Sequence, residues 1–169
     1  MRRRLGICAA MATCLAGLAG CGVPAGGALG VTVDAAGNPA IVVQMCEGHI
    51  DGATLYLPDP DPDREPPRDE DVGQWEVSPA VDGFSQFSFA EGGNGWRLVG
   101  TLKPRDLATR YTIYGWTKDN SWSAAHLDFS QQDLKTLKPG TVLVPEREQE
   151  GNRSESLEDF KTKTCEEWS

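Results

Sequence analysis

Along residues 31–145 the apolar and polar positions alternate with a period of two, not the 3.6 of a helix. In VTVDAAGNPAIVVQMC, Val31 and Val33, then Ile41, Val43 and Met45, fall on one face to either side of a Gly37-Asn38-Pro39 turn, which predicts a hairpin. The same spacing puts Ala53, Leu55 and Leu57 of GATLYL on one face. It continues with Phe87 and Phe89, with Trp96, Leu98 and Leu102, and with Tyr111 and Ile113, then with Ala125, Leu127 and Phe129, and with Val142 and Val144. Successive strand side chains point to opposite faces, so each run offers one face to a core and one to water. About eight short strands with turn signals between them predict an all-β domain, built as an antiparallel β-sandwich. Asn94-Gly95, between two such runs, predicts a hairpin turn; GGNGW has no lysine and no strand-to-helix setting for a phosphate loop.

Two segments break the alternation. PDPDPDREPPRDEDV, 58–72, is acidic and proline-rich, and proline donates no ladder hydrogen bond, so an exposed extended loop is expected. In SESLEDFKTKTCEEW, 154–168, Leu157, Phe160, Thr164 and Trp168 share one helical stripe, with Ser156 and Asp159 placed to cap its start. A short C-terminal helix packed on the β domain follows.

At the other end, Arg2, Arg3 and Arg4 precede an apolar run from Leu5 to Leu18. That layout is a signal peptide, because a spanning helix needs about 20 apolar residues. The run ends in Leu18-Ala19-Gly20-Cys21, which resembles the lipobox of bacterial lipoprotein precursors at all four positions. The resemblance implies cleavage before Cys21 and diacylglycerol on its thiolate. Residues 1–20 are then the signal peptide, CGVPAGGALG (21–30) a lipidated flexible tether, and 31–169 the β domain. At roughly 3.3–3.6 Å per residue, such a tether reaches at most about 30 Å, which keeps the domain near the membrane. GTLKPRDLATRYTIYGW resembles the tyrosine-corner region of immunoglobulin-like and fibronectin type III-like sandwiches. With YTIYGWTKDNSWSAAHLDF and LKPGTVL, the chain as a whole is similar to small lipoproteins of high-GC Gram-positive bacteria. That similarity implies a lipid anchor on the extracytoplasmic face of the cell membrane and no particular activity.

Charge sharpens the partner classes. The chain carries 25 acidic and 16 basic residues, net −9; losing three arginines with the signal leaves 13 basic residues and a net −12. Nucleic-acid binding driven by counterion release is excluded as the expectation. An anionic leaflet should repel the domain's acidic surfaces, which then face away from the membrane.

Of five cysteines, Cys8 and Cys14 leave with the signal and Cys21 takes lipid. Cys46 and Cys165 remain, and in an exported protein that pair is expected to form a disulfide. Cys46 and His49 also stand at C-x-x-H spacing beside Met45, with His126 far along the chain, but a Cys46 engaged by Cys165 leaves no metal site to expect. Asp59, Asp61, Asp63 and Glu70 match positions 1, 3, 5 and 12 of a calcium loop. Arg64 stands where the sharp turn needs glycine and prolines stiffen the rest, so a solvated loop is expected.

YGWTKDNSWSA places Tyr114, Trp116 and Trp122 on two strands joined by a polar turn, a candidate ligand platform for an envelope protein or a glycan. The plainer alternative is a cross-strand aromatic pair covering the core. No G-x-S-x-G or H-E-x-x-H occurs, and His126 has only Asp128 beside it. The expected function is a non-catalytic binding or interaction module without a cofactor. The alternatives are a small envelope hydrolase using carboxylates and a metal-handling lipoprotein.

Overall fold

The computed structural model describes residues 22–61, 63–103, 109–146 and 151–168. The signal segment and Cys21 lie outside them, as do residues 104–108 of the stretch likened to a tyrosine corner.

The first strand, β1 (Ala25–Val33), corrects the tether. Every residue from Gly26 to Val33 is buried. One edge of β1 runs antiparallel to β2 (Pro39–Met45), from Gly27 opposite Met45 to Val33 opposite Pro39. Its other edge pairs in parallel with β8 (Ser123–Ser130) through Ala25 and Ala28, then antiparallel with β9 (Thr141–Pro145) through Val31 and Thr32. The glycines that suggested a flexible leash allow close approach instead. A Cβ on Gly27 would sit 2.1 Å from the Gln44 carbonyl oxygen, and one on Gly30 would sit 2.4 Å from Cγ1 of Val142. The domain therefore begins at residue 25, and Gly22–Pro24 is the only part of the supposed tether left outside a strand among the described residues.

The expected antiparallel sandwich is also corrected. The continuous order is β5 (Phe84–Ser88), β2, β1, β8, β7 (Arg110–Trp116), β3 (Ile50–Leu57), β4 (Glu70–Val81), β6 (Trp96–Val99). Its two ends meet: the Trp96 indole N–H donates to Ser85 Oγ at 2.9 Å, and Phe87 stacks on Trp96 at 4.0 Å. The result is a nearly closed barrel of mixed strands. The parallel β1–β8 pairing bridges what a sandwich would keep as two sheets. A barrel interior and a sandwich interior demand the same alternation, so the period alone does not distinguish them.

Ile41, Val43, Met45, Leu55, Ile113, Leu127 and Phe129 point inward as their alternation predicts. Alanine 125 does not. A bulge in β8 lies opposite Ile113–Gly115 and moves the inward position to Ala124. Strand β4 has no clean alternation because a register shift at Leu55/Tyr56 gives it an extra residue, so Val72 and Trp75, three apart, are both buried. It also takes Glu70–Val72 from the proline-rich segment, which shortens that loop.

A second cluster lies outside the barrel. The hairpin of β9 and β10 (Asn152–Ser156) and helix α2 (Leu157–Trp168) cover β1 and β2 with Val142, Val144 and Phe160, against Ala28 and Val42. Val142 and Val144 therefore face this cluster, not the interior. Ser156 Oγ accepts from the Asp159 N–H at 3.0 Å, the expected cap. Cys46 and Cys165 are bonded, with Cα atoms 5.2 Å apart, and clamp α2 to the end of β2.

Candidate functional site

One end of the barrel is closed and the other is open. At the closed end, Trp122 lies against Gly48 and Gly26: a Cβ on Gly48 would fall 2.4 Å from its ring. Cys46 and Glu47 donate their N–H groups to the Gly26 carbonyl there, at 2.7 and 2.9 Å. The chain enters at this end, through Gly22–Pro24, and Ser123 N–H holds the Pro24 carbonyl at 2.9 Å.

At the open end is a bowl of about 690 Å³. Its floor is apolar, formed by Leu55, Val72, Phe89, Tyr111 and Phe129, and its wall includes Leu102 and Leu134. Its rim is polar, with Asp34, Asn38, Glu91, Gln131 and Lys135. Trp75, fully buried, does not line the bowl but packs behind the lining residue Phe89. That indole donates to the Phe89 carbonyl at 3.2 Å and lies 5.7 Å from both the Phe87 and Phe89 rings.

Local hydrogen bonds set the rim. Asp34 closes the β1–β2 turn by accepting from the N–H groups of Ala36 and Asn38, each at 2.8 Å, and from the Asn38 amide at 2.9 Å. The Asn38 side chain, followed by its backbone N–H, holds the Asp34 carboxyl below the ordinary range. Helix α1 (Gln131–Thr136) carries Leu134 to the wall and is started by a reciprocal Ser130–Asp133 cap. Sequence reasoning missed α1, although Ser130 and Asp133 stand three apart, because Asp replaces the usual Glu or Gln.

The three aromatic residues of the predicted platform do not form one surface. Tyr114 and Trp116 share the outward face of β7 with Thr54 and Gly52 of β3 opposite them, whereas Trp122 caps the closed end. The Trp116 indole donates to Thr54 Oγ1 at 2.9 Å, and its ring covers Gly52. Tyr56, missed from the sequence, meets Tyr114 edge-on with ring centres 5.8 Å apart. Its signal was its position next to inward Leu55, which becomes useful once β3 and β7 are known to pair.

The other candidate groups are used structurally. Cys46 is spent in the disulfide, and His49 is half-buried with Nε2 3.8 Å from Asp51. In the proline-rich loop, Arg64 supplies the positive charge that a calcium ion would bring. Its Nε lies 2.9 Å from Asp59 Oδ2 and its Nη2 lies 3.7 Å from Asp61. The Asp61 N–H holds the Asp59 carboxyl low against burial, the next effect in size, with lesser help from the Arg68 N–H and the Arg64 charge. Glu155 is the carboxyl that burial pushes up, opposed by Arg153. It lies on β10 with Arg153, whose guanidinium also meets Glu146 just after β9 and Glu167 on α2, away from the bowl. No family model matches the chain, and no curated protein or solved structure matches it either.

Proposed function

We propose that the protein is a membrane-anchored, extracytoplasmic binding module, held by lipid on Cys21, that takes the apolar end of a small molecule into the open barrel mouth. The observation that carries this reading is the bowl: a carbon-lined floor under a polar rim, at a barrel mouth, is a setting in which ligand sites recur. Both Asp34 oxygens are already engaged in their own turn, which supports a rim that orients a ligand over one that attacks it. Each buried methylene contributes about 0.8 kcal/mol, so a six-carbon group brings roughly 5 kcal/mol before the cost of immobilising it. The mouth is at the far end from Gly22, so an anchor at Cys21 would turn it away from the bilayer.

Two measurements test this. The uncharged fluorophore N-phenyl-1-naphthylamine should bind the mature domain saturably at one site, and Leu102→Glu and Leu134→Lys should each weaken it at least tenfold. Binding that both variants leave unchanged would remove the mouth as the site. In a Gram-positive host the full chain should incorporate labelled palmitate and fractionate with membranes, and Cys21→Ser should abolish both. Label retained by Cys21→Ser would reject the anchor.

A further inference from the structure

We infer that the outward face of β3 and β7 is a second binding site, for a hydroxyl-rich glycan chain without acidic groups, with the Tyr114 ring as its stacking ridge. This site is separate from the mouth and does not depend on it.

The composition of that face is the first support. Its six outward residues, Gly52, Thr54 and Tyr56 on β3 and Thr112, Tyr114 and Trp116 on β7, include no charged side chain. Yet charged residues make up 24% of the chain, and the outward face of an antiparallel sheet is where they normally collect. What this strip presents at the surface is aromatic: Tyr114 is exposed and Tyr56 and Trp116 are half-buried, while Gly52, Thr54 and Thr112 are buried, and the charges Asp71, Glu76 and Asp128 stand on the neighbouring strands.

Shape is the second support. Hollows of about 610 and 480 Å³ flank Tyr114 and share both Tyr114 and Asp71 as walls, so they form one trough crossed by a ridge. A trough of that form suits a linear ligand of several rings better than one compact molecule. The ridge is preset: Tyr56 braces Tyr114 from the side, and Thr54 fixes Trp116. Tyr114 nevertheless remains 36% exposed. A ring held in place before binding loses little entropy when a sugar's C–H face packs on it.

The polar groups select the chemistry. Asp71 belongs to both hollows, Asp69 and His126 to one, and Gln74, Asn120 and Lys118 to the other, so carboxylates outnumber the one lysine. Carboxylates accept from sugar hydroxyls, amides both donate and accept, and together they satisfy a polyol. The same carboxylates, on a chain of net −9, repel an acidic polymer and favour an amine-bearing one.

The test is calorimetric titration of the mature domain with hexamers of glucose, mannose, N-acetylglucosamine, glucosamine and galacturonate. At least one neutral hexamer or the amine-bearing one should bind, and the galacturonate hexamer should not. Tyr114→Ala should weaken binding at least tenfold, while Tyr114→Phe, which keeps the ring, should stay within threefold. Both variants should bind the mouth fluorophore like wild type, which separates failure of this site from failure of the mouth or of folding. Binding of the acidic hexamer alone, of no hexamer, or equally by Tyr114→Ala would overturn the proposal.

Discussion

Replacing both Cys46 and Cys165 with serine is expected to lower the stability of the domain by about 5 kcal/mol, the chain-entropy value for so long a closed loop. The bonded residues are 119 apart in sequence, which puts this loop near the upper end of the range. At about 2–4 °C per kcal/mol for a domain of this size, the melting temperature should fall by roughly 10–20 °C. Loss should begin locally. Helix α2 has 12 residues, and an isolated helix of that length is marginal in water. Without the bond, its attachment rests largely on buried Phe160 and on the Arg153–Glu167 contact at 2.6 Å. Its release would uncover Val42 and Val142, both fully buried. Amides of α2 should therefore exchange faster than those of β3 and β7 in the double variant. A melting temperature within 3 °C of wild type, or uniform exchange across the domain, would contradict this account.

Trp75→Ala should cost about 3–5 kcal/mol, the usual range for emptying a fully buried aromatic site. The side chain packs behind Phe89 of the bowl, in ring contact with Phe87 and Phe89, and its N–H satisfies the Phe89 carbonyl. Trp75→Phe keeps much of the packing but leaves that carbonyl unpaired, so its loss should be smaller, about 1–3 kcal/mol. Urea titration should show both midpoints falling with an unchanged slope. An alanine variant within 1 kcal/mol of wild type, or a phenylalanine variant less stable than the alanine one, would show that Trp75 does not support the interior as described.

What the chain reveals in one dimension is mainly which side of each strand is dry. Ile41, Val43 and Met45, or Leu127 and Phe129, needed only the two-residue period, a local property of an extended backbone. The C-terminal stripe of Phe160 and Thr164 and its Ser156 cap were legible because a helix repeats over a few residues. The Cys46–Cys165 bond was expected because the lipobox resemblance assigns the other three cysteines elsewhere, and the two are bonded. Strand β4 was hidden because its bulge broke the period, and Ala124 displaced Ala125 for the same reason. Glycines 26, 27 and 30 were misleading: low bulk signals flexibility in isolation, but here it admits a backbone or a side chain of the neighbouring layer.

Functional geometry depended on closure. The parallel β1–β8 pairing turns two sets of strands into one barrel, and only then do the β1–β2 turn, α1 and Leu102 surround a common mouth. Tyr56 joined Tyr114 through β3–β7 register, and Trp122 left them because it fills the space over Gly48. Sequence alone settled the faces of the unbulged strands such as β2 and the final helix, since each depends on spacing along the chain, and it pointed to the cysteine pair once the lipobox resemblance set the other three cysteines aside. The barrel, its mouth and its aromatic trough were settled by tertiary structure, because pairing between residues tens of positions apart is invisible to any local period.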